Sequence, residues 1–172
     1  MSFAAATADD LRVVAAQLGR EPRGVAAVAW RCPCGRPGVV ATAPRLPDGT
    51  PFPTTYYLTC PRAVAACSRL EATGTMADMN ARLASDGGLL ARQAAAHRAY
   101  VADRAGLAAS LGLDDVPRAD VSAGGMPGRV KCLHALAGHA LAAGPGVNPL
   151  GDEALAAIGP FWQDPCLEVD PS

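Results

Sequence analysis

Two thiols one residue apart, in Trp30-Arg31-Cys32-Pro33-Cys34-Gly35-Arg36-Pro37-Gly38, constrain this chain more than any other stretch. Proline fixes a backbone angle and removes an N–H, and glycine accepts angles other residues avoid, so the run has to turn. Its tip then presents two sulfurs between two arginines. Tyr56-Tyr57-Leu58-Thr59-Cys60-Pro61 ends a strand-like run in a third cysteine. Arg129-Val130-Lys131-Cys132-Leu133-His134 opens a helix-like run with a fourth cysteine and a histidine.

The patterns flanking these segments give an order of elements. Thr7 and Asp10 form a capping box ahead of Leu11, Val14, Ala15 and Leu18 at helical spacing, with Gly19 as the stop. Residues 24–31 and 39–43 read as two strands, which makes Cys32 to Gly38 the hairpin tip, and 54–59 reads as a third strand. Pro61 suits the first position of a helix to about Ala72, and Thr75 to Asp78 caps another to about Ala84. Helical patterns follow over 88–111, 128–143 and 152–158, with a Gly- and Pro-rich loop over 112–127 and a turn over 144–151. The expected architecture is α+β, a small antiparallel sheet of about three strands packed on five or six helices. Residues 1–172 are expected to form a single domain, with the tail from about 160 loosely held.

Cysteines ligate metal as thiolates held close together by turns. Cys60 and Cys132 each fall at a helix start, where backbone N–H groups favour a negative sulfur. Cys32, Cys34, Cys60 and Cys132 are therefore expected to hold one centre. The single Cys-x-Cys with two distant singles departs from paired zinc knuckles and suits an iron–sulfur cluster better, with zinc as the other cofactor. Reduced, partly buried thiols are the bland alternative. Positions two apart on a helix point about 200° from each other, so Cys132 and His134 can face one ion only if the helix has not begun at Cys132. Cys132 and His139 share a face, but about 10.5 Å of rise separates them. His134 is expected as an acid–base group or an outer neighbour of the ligands; for His139, and more so for His97, packing or capping stands beside a functional role, with Cys67 read as core and Cys166 as incidental.

Arg31, Arg36, Arg129 and Lys131 lie within a residue or two of the proposed ligands. Together with Tyr57, they are expected to bind a small anionic substrate or to offset thiolate charge. For each arginine alone, a solvated surface charge is the competing reading. Asn148 and Asp152 read as turn and cap residues.

A formal charge of −1 over 172 residues argues against a general nucleic-acid binder. No window reaches the roughly 20 apolar residues of a membrane span, and the N-terminus lacks a basic start and an apolar signal core. A cytoplasmic location is expected, and there six cysteines are thiols or ligands rather than structural disulfides.

The chain resembles an actinobacterial family of uncharacterised proteins, the domain-of-unknown-function family numbered five hundred and one. The matching pieces are Arg31 to Gly38, Thr42 to Pro53, Tyr56 to Pro61, Gly124 to Pro127 with Arg129 to His134, and Asn148 to Asp152. The resemblance implies a cytoplasmic bacterial protein with genes near division-associated and exopolyphosphatase genes, and it implies no reaction. Three functions are carried forward. The first is a metal- or iron–sulfur-binding protein, with enzymatic action on a small anionic or sulfur-bearing substrate left open. The second is a zinc-stapled interaction module with an unknown protein partner, linked to cell division. The third is a metal-free thiol enzyme with Cys60 or Cys132 as nucleophile and His134 as base.

Overall fold

A computed structural model describes residues 4–117, 119–163 and 166. It opens with a two-residue strand, β1 (Ala4–Ala5), and then α1 (Ala8–Leu18). The capping box closes in both directions: the Asp10 N–H donates to Thr7 Oγ1 at 3.1 Å and the Thr7 N–H to Asp10 Oδ2 at 3.0 Å. Strands β2 (Val25–Arg31), β3 (Pro37–Thr42) and β4 (Tyr56–Leu58) follow. The sheet is antiparallel in the order β1-β2-β3-β4. It has one strand more than the sequence suggested, because the alanine-rich start pairs with β2 at its free edge.

Every residue of β3 is buried, so the strand after the Cys-Pro-Cys-Gly turn is the centre of the sheet and carries no solvent face. Gly38 is required there by space: a Cβ would stand 2.4 Å from the Trp30 ring. Its carbonyl accepts from the Thr59 and Cys60 N–H groups at 2.9 and 3.2 Å, which brings the third cysteine to the root of the hairpin.

The helices are α2 (Pro61–Glu71), α3 (Thr75–Ser85), α4 (Gly87–Ser110), α5 (Leu133–Ala143) and α6 (Pro149–Ile158). Pro61 occupies the first turn of α2 as its fixed φ predicts. Two starts differ from the sequence reading. Asn148 caps α6, its side chain accepting from the Gly151 N–H, so Pro149 begins the helix three residues before Asp152. At α5 the helix begins at Leu133 rather than at 128. Asn80 holds the Val130 backbone from both sides, accepting its N–H at 2.8 Å and donating to its carbonyl at 3.0 Å, and the Lys131 N–H goes to Gly124 O. With those groups engaged elsewhere, residues before Leu133 gain nothing by coiling.

α5 packs on β4 and on α6. A Cβ on Gly151 would meet Leu136 O at 2.4 Å, so this glycine sets how closely the two helices approach. The core between them includes Tyr56, Tyr100, Leu133, Leu136, Ala137 and Leu150. Of the tail expected to be loose, Phe161 and Cys166 are buried in that core; residues 164–165 and 167–172 lie outside the described residues. Among the described residues no helix is long and apolar enough to cross a membrane.

Candidate functional site

Cys132 is the N-cap of α5 and is extended, with φ −157° and ψ 116°. The helix has therefore not begun at the cysteine, which is the condition under which its sulfur and the His134 ring can meet. Cys132 Sγ lies 3.8 Å from His134 Nδ1. The thiol makes no cap hydrogen bond. Glu71, the last residue of α2, takes that role: its Oε1 accepts the Leu133 N–H at 2.6 Å and lies 3.1 Å from His134 Nδ1.

Sulfur, imidazole nitrogen and carboxylate oxygen thus converge. Among the described residues, Glu71, Cys132 and His134 form the one group of three metal-capable side chains whose ligand atoms all lie within 4.8 Å of one another. The other face of the imidazole fixes its tautomer. His134 Nε2 lies 3.1 Å from the Val64 carbonyl and 3.2 Å from Ser68 Oγ. A carbonyl only accepts, so Nε2 carries a proton and the lone pair of the neutral ring is at Nδ1. Three electron-rich atoms then face one another, an arrangement that requires a proton or a cation among them. The contact with Cys132 leads in holding His134 up at about 9, against burial and with help from Glu71. The same contact draws the Cys132 thiol below its ordinary value, against burial.

This triad borders a cleft of about 480 Å³. Cys132 and His134 line it with Gln17, Thr54, Tyr57 and Thr59 as polar neighbours and Leu58, Val64 and Ala135 as apolar ones. Of the residues expected to bind substrate, Tyr57 lines the cleft, whereas Arg31, Arg36, Arg129 and Lys131 are absent from its lining. Arg31 is engaged by Asp10 in a two-pronged pair at 2.8 and 2.9 Å, which holds the Asp10 carboxyl down at about 2. Arg129 and Lys131 are exposed. Arg36 is half-buried, and its Nη1 has no hydrogen-bond partner among the described residues.

The four cysteines expected at one centre divide into two groups. Cys132 interacts with His134, Glu71 and the core thiol Cys67. Cys32, Cys34 and Cys60 stay near one another at the hairpin, and the sulfur that joins them is that of Cys166, 3.5 Å from Cys34. Burial pushes Cys32 up to about 11 and Cys166 up to about 12. Cys34 moves the other way: burial raises it, but N–H groups of Arg36 and Cys166 and the neighbouring thiols bring it down to about 7. Cys67 is fully buried in the core, where burial pushes it up to about 12.

His139 is fully buried, stacked on Tyr56 with centroids 5.6 Å apart and edge-on to Tyr100 at 5.2 Å. Asn148 Nδ2 donates to its Nδ1 at 3.2 Å, and burial pushes its pKa down to about 4. Of the roles the sequence left open, these surroundings are those of a packing residue.

Glu71 escaped the sequence reading. The signal available was a carboxylate on the last turn of a helix, where the dipole opposes a negative charge unless another element uses it. Cys166, so distant in sequence from the hairpin, left no such signal.

A family model described as Protein of unknown function (DUF501) matches residues 28–156, which include the hairpin, Glu71, Cys132 and His134. No curated protein and no solved structure matches the chain.

Proposed function

Because the chain belongs to the DUF501 family, whose description names no activity, its own site is the starting point, and we propose a metal-dependent enzyme that holds a zinc-class ion through Glu71, Cys132 and His134. The observation that carries this reading is the convergence of three electron-rich donors, one from the end of α2 and two from the start of α5, on one point beside a cleft. Three protein ligands with a fourth position open to substrate is the pattern of catalytic zinc, whereas structural zinc is closed by four. The donor set is mixed sulfur, nitrogen and oxygen, which suits zinc better than an iron–sulfur cluster. The imidazole is oriented by its Nε2–H on the Val64 carbonyl, the outer contact that ligating histidines ordinarily make.

An ion there supplies Lewis acidity toward a substrate oxygen and toward water. The chain's own groups do the rest. Leu58, Val64 and Ala135 hold an apolar body, and Tyr57, Thr59 and Gln17 offer hydroxyl and amide hydrogen bonds for orientation. A small, largely neutral substrate with a carbonyl or phosphoryl oxygen fits this lining better than the small anionic one the arginines suggested.

Cobalt(II) substitution tests the reading. A thiolate-to-cobalt charge-transfer band is expected for the wild-type chain and is expected to vanish in Cys132→Ser; a band that persists in that variant contradicts the site. The contact of Cys132 Sγ with His134 Nδ1 favours a second reading, a thiol nucleophile served by His134 as base. The two part on alkylation: stoichiometric zinc protects Cys132 from iodoacetamide under the first and leaves it fully reactive under the second.

A further inference from the structure

The sulfur cluster at the hairpin is separate from the cleft triad, and its closest contact is one the proposed function does not use. Cys34 sits in the tight turn closed by Cys32 N–H to Arg36 O at 2.9 Å and Gly35 N–H to Cys32 O at 2.8 Å. Cys34 is half-buried, and its sulfur lies 3.5 Å from that of Cys166, which is 7% exposed. No three of the four hairpin sulfurs lie mutually within 4.8 Å, so they are not gathered round a point as ligands of one ion would be. Cys34 has both Cys32 and Cys166 as thiol neighbours, and its 3.5 Å contact with Cys166 joins two distant segments of the chain. We propose that Cys34 and Cys166 are a redox-active dithiol that hydrogen peroxide converts to a disulfide, tying the hairpin tip to Cys166.

The surroundings divide the two roles. Burial raises the Cys34 thiol, but backbone N–H groups of Arg36 and Cys166 and the neighbouring thiols bring it down to about 7, whereas burial pushes Cys166 up to about 12. An accessible thiolate beside a protonated partner is the arrangement of an attacking and a resolving cysteine. The Cys34 thiolate attacks one peroxide oxygen, the O–O bond breaks, and the departing hydroxide takes a proton to become water. Cys34 is then a sulfenic acid. The Cys166 sulfur attacks the Cys34 sulfur, its S–H proton leaves with the hydroxyl as a second water, and the S–S bond forms. Two thiols and one peroxide give one disulfide and two waters. Cys32 is the less suitable partner for the oxidant: it is 3% exposed and burial raises its thiol to about 11.

The test uses the full chain, reduced, treated with one equivalent of hydrogen peroxide, blocked with N-ethylmaleimide and mapped by peptide mass spectrometry. Loss of two thiols per chain and a Cys34–Cys166 cross-linked peptide that dithiothreitol releases are expected. In Cys166→Ser, Cys34 should instead accumulate as a dimedone-trapped sulfenic acid. Cys32→Ser, which keeps both proposed partners, should still form the cross-link, and this variant serves if the loss of Cys166 unfolds the chain. A folded wild-type chain that yields no cross-link overturns the proposal, as does a cross-link joining Cys32 to Cys34. Cobalt binding at the cleft is read separately in Cys34→Ser, so failure of either proposal leaves the other standing.

Discussion

His134 and His139 lie five residues apart on one helix, yet their surroundings drive them in opposite directions. His134 sits in the first turn, where Cys132 and Glu71 supply negative partners and hold it at about 9. His139 sits in the middle, between Tyr56 and Tyr100, with an amide as its polar neighbour, and burial takes it down to about 4. Residue type is the same, so what differs is which elements arrive at each end of α5. The first turn is met by the acidic end of α2 and an open cleft; the interior is met by β4 and α4 and is closed. The proposed ligation belongs to the former, and packing surroundings to the latter.

The largest expected effect separates the two by metal affinity. His134→Ala should weaken zinc binding by about 100-fold or more, because it removes a ligand rather than an outer contact. His139→Gln should leave affinity within about threefold, since it touches no ligand. Equal losses in competition titrations would erase the distinction. Glu71→Gln sharpens it: a loss of about 10–100-fold is expected from the weakened oxygen donor.

Stability should show the reverse order. His139→Ala removes a fully buried ring and one of the two acceptors of the Asn148 Nδ2 group, a cost of about 2–4 kcal/mol by urea unfolding. His134→Ala in the metal-free chain should cost less than that. The pH dependence of stability isolates His139 further. Its folded pKa of about 4 lies below the ordinary 6.5, so the unfolded chain takes up the proton first. Stability is therefore full above about pH 6.5 and falls by up to about 3 kcal/mol as pH drops toward 4. His139→Gln should flatten the profile in that window; an unchanged slope there would contradict the assignment.

The smallest effect concerns Asp10 and Arg31, which join α1 to the end of β2. The Asp10 carboxyl is held at about 2, below the ordinary 3.8, so this contribution is present above about pH 4 and is lost as pH falls through 2. Asp10→Asn should cost about 1–2 kcal/mol at neutral pH, measured by denaturant midpoint, because it weakens the charged pair and half of the α1 capping box.

Much of the scaffold was legible because local chemistry decided it. The Thr7–Asp10 box, the hairpin at Cys32 to Gly38, and Pro61 at the start of α2 each depend on a few neighbouring residues. The site was legible only in part. Cys132 and His134 could be named, and the rule that they share an ion only outside a helix identified the deciding feature. That the helix starts late is set by Asn80, some fifty residues away, whose side chain takes over the Val130 backbone. Glu71 reaches the site through the packing of α2 against α5. Arg31 looked like an anion ligand because it adjoins Cys32, but in a strand its side chain is free to meet α1, and Asp10 was waiting there. Sequence adjacency to a ligand is thus a weak guide to pocket membership.

The central claim is that one ion is held by the cleft triad and not by the hairpin sulfurs. Elemental analysis of zinc in wild type, Cys132→Ser and Cys32→Ser, each purified anaerobically and dialysed against equal free zinc, tests it most directly. One zinc per chain in wild type and Cys32→Ser, and none in Cys132→Ser, is the predicted result; zinc lost from Cys32→Ser and retained in Cys132→Ser would contradict it.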